Sequence, residues 1–237
     1  MRTPLAAVAA QALQAAKIAH AAHAVLAFTL LASAGAALAQ DVKANAEAGE
    51  KKAAMCIGCH SIPGYQASFP EVHKVPMLAG QNAKYMQGAL AAYKSGDRKH
   101  PTMRAIAASL SDQDMADLAA YYEALPKAKA SVEAKPARQP SPEVEALLQK
   151  GKCVTCHGEN FSKPTDPTFP KLAGQHTDYL YVALKSYQVQ RNAQVGRSNP
   201  VMSGMAAGFK PHELKQLADY IGSLPGELQV VPQSRFR

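Results

Sequence analysis

The sequence has no tryptophan, and only 6% of its 237 residues are aromatic. It has four cysteines, too few for a scaffold held together by disulfides. It has one long apolar run, near the N-terminus, and no second one, which excludes the polytopic membrane proteins. Hydrophobic residues make up 47% of the chain, which excludes collagen-like and disordered proteins. The composition therefore indicates a globular protein of one or two domains.

The N-terminal segment resembles an export signal. Two basic residues, Arg2 and Lys17, precede an uncharged apolar run over 24–39, which ends in a small-x-small pattern before Gln40. This order is typical of a secretory signal peptide. The alternative is a retained membrane anchor, although the run is shorter than the roughly 20 residues that span a bilayer. We therefore expect a signal peptide over 1–39 and a mature chain outside the cytoplasm.

The formal net charge of +8 does not indicate a nucleic-acid-binding protein. Part of the excess lies in the predicted signal peptide, and half of the remainder lies in 127–142, a stretch rich in lysine, alanine and proline. A nucleic-acid surface needs basic residues clustered on a folded face. We therefore expect no nucleic-acid partner, and we interpret 127–142 as a semi-extended linker.

Two stretches on either side of this linker repeat each other. Cys-x-x-Cys-His occurs at 56–60 and again at 153–157, and Pro-x-Leu-Ala-Gly-Gln occurs at 76–81 and 170–175. Further matches continue in the same order to the end of each stretch. The predicted organisation is a signal peptide, two duplicated domains, a linker between them and a tail, with the bounds 1–39, 41–126, 127–142, 143–225 and 226–237.

The pattern within each repeat is helical. Apolar residues recur at three- and four-residue spacing over 82–95 and 111–124, and Ser111 with Asp114 resembles a capping box. No segment alternates convincingly as a strand. We therefore predict an all-α fold, with three to four helices in each domain around one bound cofactor.

All four cysteines lie in the two Cys-x-x-Cys-His motifs, a pattern typical of covalent haem c attachment. The two thiols bond to the porphyrin vinyl groups, and the histidine next to them binds the iron. A thioredoxin-like redox pair would need only Cys-x-x-Cys, and zinc needs four ligands where the motif supplies three. We therefore predict two covalent haem c groups. The attachment residues are Cys56, Cys59, Cys153 and Cys156, and the iron ligands are His60 and His157.

A carrier haem needs a second axial ligand, and two methionines occupy equivalent places in the repeats. Met103 and Met202 each follow a proline by two positions, which we expect to hold the backbone extended. Met205 is the alternative to Met202, but its counterpart is Ile106, which cannot bind iron. A thioether ligand favours reduced iron and raises the potential. We therefore predict Met103 and Met202 as the axial methionines.

Other polar residues near these methionines have open interpretations. Arg98 and Arg197 are repeated, and each either contacts a haem propionate or is a solvent-facing loop charge. His100 is a competing ligand, a propionate contact or a loop residue. Four repeated tyrosines are expected mainly in core packing: Tyr85, Tyr93, Tyr179 and Tyr187.

Taken together, these motifs resemble the dihaem cytochrome c4 family over residues 45–225. The resemblance implies two tandem class I cytochrome c domains, with His60 paired with Met103 and His157 with Met202 on the irons. It also implies a periplasmic protein, soluble or associated with the inner membrane surface. Its respiratory partners would be a quinol-oxidising complex (quinol–cytochrome c reductase) and a terminal oxidase. A longer insertion over 69–75 departs from the family pattern.

Three functions are consistent with this sequence. The first is a non-enzymatic electron carrier in which both axial ligands stay bound. The second is a dihaem redox enzyme, such as a peroxidase or a sulfur-compound dehydrogenase, which needs one open or displaceable axial position. The third is a permanent cytochrome subunit of a larger oxidoreductase, which would need a large apolar contact surface.

Overall fold

The computed structural model describes residues 42–126 and 135–233. The predicted signal peptide, residues 127–134 of the predicted linker and the last four residues of the chain lie outside the described residues. Within the described ranges, no helix has the length and apolar character needed to cross a bilayer.

Ten helices occur among the described residues, and we call α1–α5 the first lobe and α6–α10 the second lobe. The first lobe contains α1 (Ala46–Lys52), α2 (Ala54–His60), α3 (Ala83–Ser95), α4 (Pro101–Ala108) and α5 (Asp112–Ala124). The second lobe contains α6 (Pro142–Lys150), α7 (Cys153–His157), α8 (Thr177–Ser186), α9 (Pro200–Ala207) and α10 (Pro211–Ser223). The described strands have two residues each: β1 (Gln66–Ala67), β2 (His73–Lys74), β3 (Arg98–Lys99) and β4 (Gly196–Arg197). The fold is therefore all-α, as predicted.

The helix ends largely follow sequence signals. The Ser111 hydroxyl accepts from the Asp114 backbone N–H and the Asp114 carboxylate accepts from Ser111, so the capping box at α5 is confirmed. The expectation of extended backbone at the two methionines is wrong. Pro101 and Pro200 each occupy the first turn of a helix, where a missing N–H costs nothing, and each helix then includes the methionine. Because the cysteine and methionine segments are themselves helical, each lobe has five helical segments.

Each lobe is built around its last long helix. In the first lobe α1 and α3 pack against α5, and in the second lobe α6 and α8 pack against α10. The crossing of α1 and α5 is close because a Cβ at Gly49 would lie 2.0 Å from the Asp117 carbonyl oxygen. The first core includes Ile57, Met86, Met115, Leu118 and Tyr122. The second core includes Leu148, Phe161, Leu180, Leu214, Leu217 and Ile221.

The two lobes contact each other through equivalent segments. Strands β3 and β4 pair antiparallel, with Arg98 opposite Arg197. Because these arginines hold the same place in the two repeats, the lobes are related locally by an approximate two-fold axis. The tail of the second lobe then returns to the first lobe, where the backbone N–H of Gln229 donates to the Ala79 carbonyl at 3.3 Å.

Candidate functional sites

The first site is a cavity of about 380 Å³ that the predicted ligands of the first lobe line together. Helix α2 contributes Cys56, Cys59 and His60, and the first turn of α4 contributes Met103. These four residues come from the two ends of a 48-residue stretch of sequence, and the fold brings them to one cavity.

The His60 ring is held in one orientation by a backbone acceptor. Its Nδ1 lies 2.8 Å from the carbonyl oxygen of Pro76. Because a carbonyl oxygen only accepts, Nδ1 carries the proton and Nε2 keeps its lone pair. Burial lowers the pKa of His60, so the imidazole is neutral near pH 7. An oriented, neutral imidazole with a free nitrogen is the form that binds a metal.

The second lobe repeats this arrangement. The Nδ1 of His157 lies 3.2 Å from the carbonyl oxygen of Pro170, and burial lowers the pKa of this histidine as well. The centroid of the His157 ring lies 6.4 Å from the centroid of the Phe169 ring. Burial also raises the pKa of the Cys153 thiol to about 11. The Nδ1 atoms of the two motif histidines thus have equivalent partners, because each lies next to the carbonyl oxygen of the proline that begins its Pro-x-Leu-Ala-Gly-Gln segment.

The two predicted methionines also have equivalent settings. The backbone N–H of Met103 donates to Nδ1 of His100 at 3.5 Å, and that of Met202 donates to Oδ1 of Asn199 at 2.9 Å. His100 therefore caps helix α4, as Asn199 caps α9, and it also lines the cavity. Met205 is 41% exposed, whereas Met202 is partly buried.

Arg98 and Arg197 lie at the boundary between the lobes and line the cavity of the first site. Arg98 donates to the hydroxyls of Tyr85 (3.1 Å) and Tyr179 (2.7 Å). Arg197 donates to the same Tyr179 hydroxyl at 3.3 Å and to that of Tyr187 at 3.5 Å. The interpretation of these arginines as solvent-facing loop charges is wrong, and the repeated tyrosines pair with arginine in addition to their packing.

The charges of these two arginines are not balanced by a carboxylate of the described residues. In the described part of the chain neither guanidinium forms an ion pair with a carboxylate, and the buried Nε of Arg98 has no hydrogen-bond partner. Burial raises the pKa of Tyr179, but the two guanidiniums outweigh it and lower that pKa to about 8. Haem propionates would supply the missing acceptors. The residues present therefore fit a haem, whose apolar face also suits the lining of Leu78, Met86, Leu90, Ile106 and Leu118.

Sequence reasoning missed the role of two glutamines. Gln81 binds the backbone of Lys171 in the second lobe, donating from Nε2 to its carbonyl (2.9 Å) and accepting at Oε1 from its N–H (2.8 Å). Gln175 binds the backbone of Met77 in the first lobe by the same two bonds, both 3.0 Å. The signal was present, because a glutamine ends the same segment in both repeats.

The fold and the two sites define a class. Each lobe has a Cys-x-x-Cys-His helix, an imidazole oriented by a proline carbonyl, and a methionine at the start of a second helix. This is the arrangement of a c-type cytochrome, here present twice.

Comparisons with known proteins indicate the same class of protein. The model of the cytochrome c family matches residues 46–126 and 143–225. Cytochrome c4 of Stutzerimonas stutzeri is 30% identical over 196 residues, covering 76% of this chain and 89% of that protein. The thiosulfate dehydrogenase electron acceptor of Stutzerimonas stutzeri (strain A1501) is 30% identical over 202 residues, covering 82% and 91%. The crystal structure of reduced recombinant cytochrome c4 from Pseudomonas stutzeri has a TM-score of 0.56 at 26% identity, covering 77% of this chain and all of that one.

The chain therefore belongs to the cytochrome c family, as a two-domain protein of the cytochrome c4 type. The predicted family and the predicted pair of tandem cytochrome c domains are confirmed. The protein binds two covalent haem c groups and is an electron-transfer cytochrome.

Proposed function

We propose that this protein is a periplasmic electron carrier between respiratory complexes. It accepts electrons from a quinol-oxidising complex (quinol–cytochrome c reductase) and delivers them to a terminal oxidase. The observation that carries this proposal is the oriented histidine in each lobe, together with a methionine at the start of a second helix, and in the first lobe both residues line one cavity. The haem iron, when bound, supplies a one-electron couple between Fe(III) and Fe(II).

The chain's own residues have four roles in this proposal. Cys56, Cys59, Cys153 and Cys156 form the covalent attachments. His60 with Met103, and His157 with Met202, would hold the two irons as axial pairs. The carbonyls of Pro76 and Pro170 hold each imidazole in place, which limits reorganisation during electron transfer. Arg98 and Arg197 would contact the propionates and neutralise their charge between the lobes.

A carrier keeps both axial ligands, whereas a peroxidase or a sulfur-compound dehydrogenase needs an open iron position. The carrier proposal therefore predicts a low-spin ferric spectrum for both haems and slow binding of cyanide at each. A high-spin signal from one haem, with rapid cyanide binding at that haem, would contradict it. Optical and electron paramagnetic resonance spectra of the oxidised protein make this measurement.

The route of electrons is tested by reconstitution. Membranes that contain a quinol-oxidising complex and a terminal oxidase are stripped of soluble cytochromes, and oxygen uptake driven by quinol is measured. Added holoprotein should restore uptake in proportion to its concentration, and the Met103→Ala variant should restore it poorly. No restoration by protein that cycles normally with chemical reductants would contradict the proposed partners.

A second candidate donor has its own support. The relative described as a thiosulfate dehydrogenase electron acceptor covers 82% of this chain at 30% identity. In this alternative the protein still carries electrons, but it takes them from a dehydrogenase that oxidises thiosulfate. Stopped-flow reduction by each donor at equal concentration separates the two proposals. A permanent complex would instead appear as co-purification at high salt.

Export is part of the same proposal. We propose that residues 1–39 are removed, and that domains over 41–126 and 143–225 follow, joined by the linker 127–142 and ended by the tail 226–237. Mass spectrometry of protein from a periplasmic fraction should find a chain that begins near Gln40 and carries two haem adducts. A full-length chain in the membrane fraction would indicate a retained anchor.

A further inference from the structure

The two interface glutamines are more than contacts between lobes. Gln81 and Gln175 are each 4% exposed, and each makes two hydrogen bonds to one residue of the opposite lobe. The bound residues are Lys171 and Met77, which follow Pro170 and Pro76 directly. Each glutamine therefore binds next to the carbonyl that orients a motif histidine.

In the first lobe both interactions meet at one peptide group, the peptide between Pro76 and Met77. Its carbonyl oxygen accepts from Nδ1 of His60 at 2.8 Å. Its N–H donates to Oε1 of Gln175 at 3.0 Å. The order is histidine, peptide, glutamine, and the glutamine belongs to the second lobe.

The second lobe contains an equivalent series of histidine, peptide and glutamine, and we call each of the two series a relay. Here the glutamine belongs to the first lobe. The peptide between Pro170 and Lys171 accepts from Nδ1 of His157 at 3.2 Å through its carbonyl oxygen. Its N–H donates to Oε1 of Gln81 at 2.8 Å. The two relays are therefore crossed, because each begins at a histidine of one lobe and ends at a glutamine of the other.

Hydrogen bonds in series polarise one another. An N–H that donates to an amide oxygen shifts negative charge onto the carbonyl of the same peptide, which then accepts more strongly from the histidine ring. A stronger bond at Nδ1 makes Nε2 a more basic ligand. A more basic ligand stabilises ferric iron more than ferrous iron, so it lowers the reduction potential of the haem.

We propose that Gln175 is a positioning residue for His60 and that Gln81 is a positioning residue for His157, so that each lobe tunes the reduction potential of the other lobe's haem. This inference rests on the proposed axial roles of the two histidines. It explains why the segment repeats as a unit, since the proline and the glutamine of one segment serve different haems.

The test uses the holoprotein and three variants. Gln175→Leu and Gln81→Leu each remove one relay. Asn82→Ala is the matched control, because the Asn82 side chain donates across the same interface to the Phe169 carbonyl at 2.9 Å but does not bind either peptide. The potentials are measured by optical redox titration and assigned to lobes with Met103→Ala and Met202→Ala. The ring N–H resonances of the two histidines are followed by NMR in the reduced protein.

Each glutamine variant should mainly change the haem of the opposite lobe. Gln175→Leu should raise the potential of the first-lobe haem and move the ring N–H resonance of His60 upfield, with smaller changes in the second lobe. Gln81→Leu should do the reverse, and Asn82→Ala should change neither resonance. If a leucine variant does not fold, Gln175→Met or Gln81→Met repeats the test with a side chain of similar length.

Three results would overturn the inference: a change confined to the glutamine's own lobe, equal changes in both lobes, or no change in either. The wild-type spectra separate this failure from that of the proposed function. If they lack two low-spin haems with histidine and methionine ligands, the proposed function fails first. If they have them and the crossed pattern is absent, only the relay fails.

Discussion

The two lobes share one framework but stabilise their main helix crossing differently. In the first lobe the Asp117 carboxylate, 3% exposed, accepts from Lys52 Nζ (2.7 Å), the Asn45 backbone N–H (2.8 Å) and Gln113 Nε2 (2.7 Å). The equivalent residue of the second lobe is Gln216, whose buried Oε1 has no hydrogen-bond partner within 42–126 and 135–233. The comparison teaches that the second crossing forms without a buried carboxylate, because apolar packing and a longer ion pair, Lys150 with Glu213 at 3.5 Å, hold it instead.

The lobes also differ at the interface. Met77 of the first lobe is replaced by Lys171 in the second, and the Lys171 ammonium donates to the Gly80 carbonyl at 2.8 Å and pairs with Glu227 of the tail. Only the first lobe has the insertion over 69–75, from which Glu71 pairs with Lys185 at 2.8 Å. The repeated residues thus surround the predicted iron ligands and form the symmetric contacts between the lobes, while these unrepeated residues add contacts that have no counterpart in the other lobe.

The largest effect that separates the lobes should come from the axial methionines. Met103→Ala should lower the potential of the first-lobe haem by an amount on the order of 0.2 V, a fraction of the roughly 0.8 V range that axial ligands span. Met202→Ala should do the same to the second-lobe haem. Redox titration of each variant, with spin-state analysis, measures this.

Met205→Ala is the matched control for Met202, because Met205 lies three residues further along the same helix and is 41% exposed. It should leave both potentials near their starting values. Equal shifts in both haems from Met103→Ala, or a larger shift from Met205→Ala than from Met202→Ala, would contradict the assignment.

Much of this could be predicted from local sequence signals. The two Cys-x-x-Cys-His motifs fix the cofactor chemistry, and the helical spacing with the Ser111 capping box predicts α5 correctly. Local signals are weaker at the methionines, because a proline holds only the residue before it extended and can itself begin a helix, as Pro101 and Pro200 do. The structure has helices there, since His100 and Asn199 supply the caps.

The interface could not be predicted in the same way. The repeat identifies Arg98 and Arg197 as equivalent residues, but their shared partner Tyr179 is distant from Arg98 in sequence and becomes a neighbour only when the lobes associate. The roles of Gln81 and Gln175 also depend on contacts across about ninety residues, for which periodicity carries no information.

The next largest effect concerns stability. Asp117→Ala should destabilise the first lobe by about 2 kcal/mol, because the Asn45 backbone N–H and the Gln113 amide lose a charged acceptor and Lys52 keeps only Asp114. Gln216→Leu at the equivalent place should change the stability of the second lobe by less than about 1 kcal/mol, since it removes an unpaired buried oxygen. Denaturant unfolding of the holoproteins, followed by circular dichroism, makes the comparison. Equal losses from both variants would mean that the two crossings depend on polar contacts alike.

A smaller effect is expected at the arginines. Arg98→Leu should lower the potential of the first-lobe haem by about 59 mV, a tenfold change in the one-electron equilibrium, because a partly buried cation near a propionate favours ferrous iron. Arg197→Leu should act in the same direction. Arg104→Leu is the control, because Arg104 is exposed on α4. Salt titration sharpens the result, since the partly buried arginines should be less sensitive to ionic strength than Arg104. An effect of Arg104→Leu as large as that of Arg98→Leu would contradict the propionate role.

The smallest expected difference is a pH dependence of the stability that Asp117 contributes to the first crossing. Burial raises the pKa of Asp117, but hydrogen bonds from Lys52, Asn45 and Gln113 outweigh it and hold that pKa below its ordinary value. A carboxyl group with a lowered folded pKa stabilises the fold above its unfolded pKa, and this contribution is lost as the pH falls towards the folded value. The difference in unfolding free energy between wild type and Asp117→Asn should therefore be constant near neutral pH and shrink below about pH 5. For Gln216→Leu the difference should stay constant over the same range, because neither side chain titrates. A difference for Asp117→Asn that persists unchanged into acid would mean that packing at the crossing, rather than the carboxylate charge, sets the stability of the first lobe.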